Sequence, residues 1–179
     1  MQYIKILSLS TILLSAVITS CTPTDNKVEN ETSANLAPTT GNATAAVQQM
    51  PAFTLMDVSG KTIDLKSFAG KKVFVNLWAT WCPPCRREMP SIEKLAQSVD
   101  TGKVAFVMLS LDDEFAKAKQ FVKKQKLDLP IYYPAESLPE LFNVQGIPST
   151  FIFDEQSILM QRIDGGDDYD TKQYRDILK

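Results

Sequence analysis

Residues 72–90 read KVFVNLWATWCPPCRREMP, and the arrangement of the rest of the chain follows from this stretch. Val73 to Trp78 is apolar apart from Asn76 and rich in β-branched and aromatic side chains, the pattern of a strand buried on both faces. Directly downstream, Met89, Ile92, Leu95, Ala96 and Val99 recur at helical spacing. Pro83 suits a first helical position, because the N–H it lacks would have no partner there. Cys82 and Cys85 therefore stand at a strand-to-helix turn.

That placement favours redox chemistry. The thiolate is the reactive form of cysteine, and the free N–H groups and dipole of a helix start favour negative charge. Cys82 is the natural attacker, and Cys85, three residues on, is within reach to resolve a mixed disulfide formed with a substrate. A C-x-x-C pair also occurs in zinc ribbons, but a structural zinc site needs four ligands. This chain has no histidine and one further cysteine, Cys21, so no metal is expected.

The run FVNLWATWCPPC, with Pro90 five residues after the second cysteine, resembles the thioredoxin superfamily, and WCPPCRREMP resembles its membrane-tethered TlpA/ResA-type branch. Gly146-Ile147-Pro148-Ser149-Thr150 matches the loop in which that family carries a cis-proline beside the disulfide. The resemblance covers about residues 50–179 and implies an α/β, thioredoxin-like three-layer fold with a mixed β-sheet flanked by helices. It implies a redox-active Cys82–Cys85 disulfide, substrate alignment by Pro148, and no bound cofactor. Asn76 departs from ordinary thioredoxins, which place a buried aspartate there to move protons for the second cysteine. Asparagine cannot titrate. Glu88 lies on the helical face of Cys85, matches a glutamate near the disulfide of ResA-like proteins, and has no cation at the neighbouring helical spacings, so it is the expected substitute. Trp78 is expected in the core, with Trp81 and Ile147 lining a substrate groove.

Upstream, the apolar stretch Ile6 to Ile18 is too short to span a bilayer and reads as an export signal over residues 1–20. Ile18-Thr19-Ser20-Cys21 resembles a bacterial lipobox, which implies lipidation of Cys21 and leaves Cys82 and Cys85 as the only thiols of the mature chain. Residues 21–50 lack aromatics and read as a disordered tether with a reach of roughly 30 Å; a domain follows over residues 51–179. The formal charge of −2 gives no reason to expect nucleic-acid binding.

Within the domain, Phe53–Leu55 and Lys61–Leu65 are expected to form a β-hairpin at a sheet edge, and Val104–Leu109 a strand parallel to the central one. Asp112 or Asp113 is expected to cap a helix carrying Phe115, Ala118, Phe121 and Val122. Then come a short strand Ile131–Tyr133, a short helix over about Ser137–Phe142, an antiparallel pair Ser149–Phe153 and Ile158–Ile163, and a terminal helix Asp168–Leu178. The unit from Asp113 to Tyr133 resembles the helix-strand insertion of the TlpA/ResA branch.

The function expected from this reading is a monomeric, periplasm-facing, lipid-anchored thiol-disulfide oxidoreductase. It would reduce disulfides of exported proteins, with cytochrome c maturation as one setting, and draw electrons from a membrane thiol donor. Thr22 after the acylated cysteine favours the outer membrane. Two alternatives have related folds. A peroxiredoxin-like thiol peroxidase normally uses a P-x-x-x-T-x-x-C loop, and a copper-delivery protein of the Sco type uses C-x-x-x-C plus histidine.

Overall fold

The computed structural model describes residues 47–179. The export signal, Cys21 and most of the tether lie outside the described residues.

Seven strands form one sheet: β1 (Thr54–Met56), β2 (Thr62–Asp64), β3 (Lys72–Trp78), β4 (Val104–Ser110), β5 (Ile131–Pro134), β6 (Ser149–Phe153) and β7 (Leu159–Asp164). Their spatial order is β2-β1-β5-β4-β3-β6-β7. β3 pairs in parallel with β4 from Lys72↔Val104 to Trp78↔Ser110, and antiparallel with β6 on its other edge. The first hairpin caps one edge through antiparallel pairing of β1 with β5. Successive side chains of a strand point to opposite faces. On β3, Phe74 and Trp78 enter one core, and Val73, Val75 and Leu77 enter the other.

The first face is covered by α1 (Pro83–Ser98), α2 (Phe115–Gln125) and α3 (Lys172–Ile177), through Met89, Ile92, Leu95, Phe115, Ala118 and Tyr174. The second is closed by the single 3-10 turns Leu65–Phe68 and Glu140–Phe142, together with Met50 and Phe53. α1 follows β3 after only four residues, so the end of the doubly buried central strand fixes where the helix begins.

Four expected boundaries differ. The helix over Ser137–Phe142 is one 3-10 turn, because Pro139 provides an extended N-cap and Asn143 leaves helical geometry at once. Neither Asp112 nor Asp113 caps α2; Glu114 does, without a side-chain bond. Asp112 is instead turned inward as an acceptor for Thr80 and Ser110, and Asp113 pairs with Lys117. The terminal helix begins at Lys172, since the N–H groups of Asp167 and Tyr169 are held by Glu88 Oε2 and Ser91 Oγ and that segment stays a loop. The packed chain begins before residue 51: Gln49 forms a β-bridge with Ile158, and Met50 is 1% exposed.

Candidate active site

Cys82 is the N-cap of α1, with Pro83 and Pro84 in the first two helical positions, and it forms a disulfide with Cys85. An N-cap side chain accepts from the N–H of the second or third helical residue. Pro84 has no N–H to offer, so the bond comes from Cys85, whose N–H donates to Cys82 Sγ at 3.3 Å. Both sulfurs sit among core residues. Cys82 keeps 3% exposure and Cys85 none, which makes Cys82 the sulfur nearer the surface.

The turn before the helix is held from β4. Asp112, 3% exposed, accepts from the Thr80 hydroxyl at 2.6 Å, from the Thr80 N–H at 3.1 Å, and from the Ser110 hydroxyl at 2.9 Å. Leu111 N–H donates to the Trp78 carbonyl at 2.8 Å. These bonds fix the backbone that leads into Trp81 and Cys82.

One loop approaches the disulfide and a second approaches Glu88. The Ile147–Pro148 peptide bond is cis, and the Ile147 carbonyl oxygen lies 3.6 Å from Cys82 Sγ. Beside it, Trp81 is 65% exposed and borders a recess of about 420 Å³ with Leu111, Leu138, Phe142, Val144 and Ile147. The second loop turns at Gly165, whose φ of +95° suits a residue without a Cβ, and brings the Asp167 N–H within 3.3 Å of Glu88 Oε2.

Glu88 points inward at 3% exposure. Oε1 accepts from Asn76 Nδ2 at 2.8 Å, and no cation pairs with it among the described residues. Burial pushes its carboxyl up to about 7; the Asn76 and Asp167 hydrogen bonds pull the other way, and the Asp167 charge raises it further. A carboxyl near 7 can both take and give a proton at neutral pH.

Cys82, Cys85, Glu88, Trp81, Ile147 and Pro148 thus meet at one end of the sheet. Trp78 is in the core, 5.7 Å from the Phe121 ring. Asp112, Thr150 and Tyr169 are site neighbours that the sequence alone does not mark, because each reaches the site only through tertiary pairing. Among the described residues there is no group of side chains able to hold a metal ion, and no helix is long and apolar enough to cross a membrane.

The sequence profile of the Redoxin family matches residues 45–178. The chain is 34% identical to the thiol-disulfide oxidoreductase ResA of Bacillus thuringiensis over 119 residues, covering 66% of this chain and 69% of that one. It is 38% identical to the thioredoxin-like protein YneN of Bacillus subtilis over 115 residues, 63% and 67% of the two chains. Among solved structures, a thioredoxin-family thiol:disulfide interchange protein from Chlorobium tepidum superposes with a TM-score of 0.62 at 27% identity, over 76% of this chain and 99% of that one. The thioredoxin domain of a thiol-disulfide oxidoreductase from Bacteroides vulgatus gives 0.66 at 21% identity, over 74% and 96%, a likeness of fold.

Proposed function

We propose, from the premise that the chain belongs to the Redoxin family and is a TlpA/ResA-type thiol-disulfide oxidoreductase of the thioredoxin superfamily, that it reduces disulfides of exported proteins from a lipid anchor at Cys21. The observation that carries the reading is the redox pair at the start of α1, with Cys82 at the surface side, Cys85 enclosed, and the buried carboxyl of Glu88 three residues beyond Cys85 in the same helix.

In the reducing cycle, the Cys82 thiolate attacks one sulfur of a substrate disulfide. A mixed disulfide forms and the other substrate sulfur leaves as a thiolate. Cys85 gives its proton to Glu88 and attacks Cys82 Sγ, which closes the Cys82–Cys85 disulfide and expels the second substrate thiolate. Glu88 returns the proton to that leaving sulfur. Two electrons have passed to the substrate, and a membrane dithiol donor restores the Cys82–Cys85 dithiol. Pro148 and the Ile147 carbonyl align the extended substrate segment beside Cys82, and Trp81 supplies apolar contact. The tether holds the domain clear of the headgroups on the periplasmic side.

The test is alkylation trapping in growing cells. A reductant is recovered mainly as the dithiol, and Cys85→Ser accumulates mixed disulfides with substrate proteins in the membrane fraction, from which Cys21→Ser is lost. Recovery mainly as the Cys82–Cys85 disulfide would make the protein an oxidant, and capture by Cys82→Ser instead of Cys85→Ser would reverse the two sulfur roles.

A further inference from the structure

Asn76 makes an unusual use of its carboxamide. It is fully buried on β3, where a period-2 reading calls for an apolar side chain between Phe74 and Trp78. Both amide protons are committed: Nδ2 donates to Glu88 Oε1 at 2.8 Å and to Thr150 Oγ1 at 2.9 Å. Oδ1 is buried with no hydrogen-bond partner among the described residues. A buried acceptor left without a donor is costly, and such groups are rare enough in native proteins to call for a reason. Turning the amide over would let Oδ1 accept from the Thr150 hydroxyl but would set it against the Glu88 carboxylate oxygen and leave Nδ2 without either acceptor, exchanging one orphan for a worse one. The orientation present is the one that serves an ionised Glu88.

The support continues behind Asn76. Thr150 Oγ1, which accepts the second amide proton, lies 2.7 Å from Tyr169 Oη. Tyr169 is fully buried; burial raises its phenol far above the ordinary range, so it stays neutral at any working pH. Its backbone N–H is fixed on Ser91 Oγ, one helical turn from Glu88 on α1. Glu88, Asn76, Thr150 and Tyr169 therefore form a continuous buried chain that joins α1, β3, β6 and the loop before α3.

We propose that Asn76 is the positioning residue for Glu88: backed by Thr150 and Tyr169, it holds Oε1 in place as an acceptor and thereby sets the pH at which Glu88 exchanges a proton with Cys85. A donor to a buried carboxylate stabilises its charged form, so this asparagine works against the burial that neutralises Glu88. The other groups facing Glu88 act differently. The Asp167 N–H donates to Oε2 while the Asp167 charge repels, Tyr169 and Tyr174 are neutral, and Arg87 and Asp168 line a separate recess with Glu88 and Asp167, Arg87 without pairing to Glu88. The proposal rests on the reading of Glu88 as the proton carrier.

The experiment is a carbon-13 titration of the Glu88 carboxyl in the oxidised protein, beside the pH profile of substrate release. Asn76→Leu removes the donor, and the Glu88 midpoint is expected to rise by about one to two pH units, the equivalent of one hydrogen bond to a charged group. Thr150→Val keeps shape and burial while freeing the amide to swing, and is expected to raise the midpoint by a smaller amount; it carries the test if Asn76→Leu does not fold. An unchanged midpoint in Thr150→Val, and in Asn76→Leu where it folds, would overturn the proposal. In a Glu88→Gln background neither substitution is expected to move the release profile further, and a further shift there would show that Asn76 acts on another group. A Glu88→Gln release profile identical to wild type would remove Glu88 as proton carrier and with it the link to Cys85, even where the carboxyl midpoint still moves with Asn76.

Discussion

Glu88 is held at 3% exposure by two N–H donors, and the balance between burial and those donors has a consequence for stability. Its carboxyl sits at about 7 in the folded protein against an ordinary 4.5, so between those two values the folded state binds the proton that the unfolded chain has released. Folding stability then falls as pH rises through that window and is level above it. A difference of this size is worth about 3 kcal/mol. Asp176, held down to about 2 by Lys172 and Lys179, acts below the window and with the opposite sign. Denaturant titrations of the oxidised protein should show wild type losing about 3 kcal/mol relative to Glu88→Gln between pH 4.5 and 7, since glutamine keeps an acceptor for Asn76 but has no proton to lose. Parallel curves would mean that burial does not raise Glu88. The placement of Glu88 is readable in the sequence because it needs only helical spacing from Cys85 and the absence of a lysine or arginine at the neighbouring helical spacings. Its partners are not readable: Asn76, Asp167, Thr150 and Tyr169 come from three other parts of the chain and meet only when the sheet closes.

At the scale of the element, α1 sets two prolines directly after the residue that caps it. Pro83 and Pro84 leave the Cys85 N–H as the donor to Cys82 Sγ. Of the two prolines, Pro84 occupies the second helical position, from which an N–H can reach a capping side chain. Restoring that N–H in Pro84→Ala adds a donor to the Cys82 thiolate and should lower its pKa by about one unit, as expected for one hydrogen bond to a charged group. The dithiol form is stabilised, so the reduction potential rises and the protein becomes a weaker reductant. Pro83→Ala, whose N–H would lie one position earlier, should change the thiolate less. Thiolate absorbance titrated in the three proteins decides this, and equal pKa values would show that the dipole and the Cys85 N–H are sufficient. The element pattern also explains which parts of the fold were legible. β3 and β4 are buried on both faces and announce themselves as apolar runs, and α1 as a helical stripe. The start of α3 and the cap of α2 did not, because Asp167, Tyr169 and Asp112 spend on long-range partners the hydrogen bonds that local rules assign to helix ends.

On the scale of the whole molecule, the sheet gains part of its closure from residues that composition assigns to the tether. Val47 to Gln49 carry no strong apolar pattern, yet Leu159 N–H donates to the Gln48 carbonyl at 2.8 Å, Met50 N–H to the Ser157 carbonyl at 2.7 Å, and Gln49 bridges Ile158. This contact lies at the start of β7, the edge strand of the sheet, where unpaired backbone groups would otherwise face water. Met50 is 1% exposed and joins Phe53, Leu55, Phe142 and Phe153 in the core on the face that carries no α-helix. That face is the thinner cover of the sheet, so each buried side chain there matters to its closure. Burying a methionine contributes about 1.5–3 kcal/mol and each backbone hydrogen bond about 0.5–1.5, against which stands the entropy of ordering three residues. With ordering costing about 1–2 kcal/mol per residue, a fragment beginning at residue 47 should be more stable than one beginning at residue 51 by up to about 3 kcal/mol, with Cys82 and Cys85 equally able to form their disulfide in both. Met50→Ala in the longer fragment separates the two contributions, because it removes the side chain and keeps the backbone pairing; it should show about half or more of the difference. Equal denaturation midpoints for the fragments starting at 47 and 51 would place the edge of the domain where composition puts it and leave the pairing at Gln48 and Met50 without energetic weight.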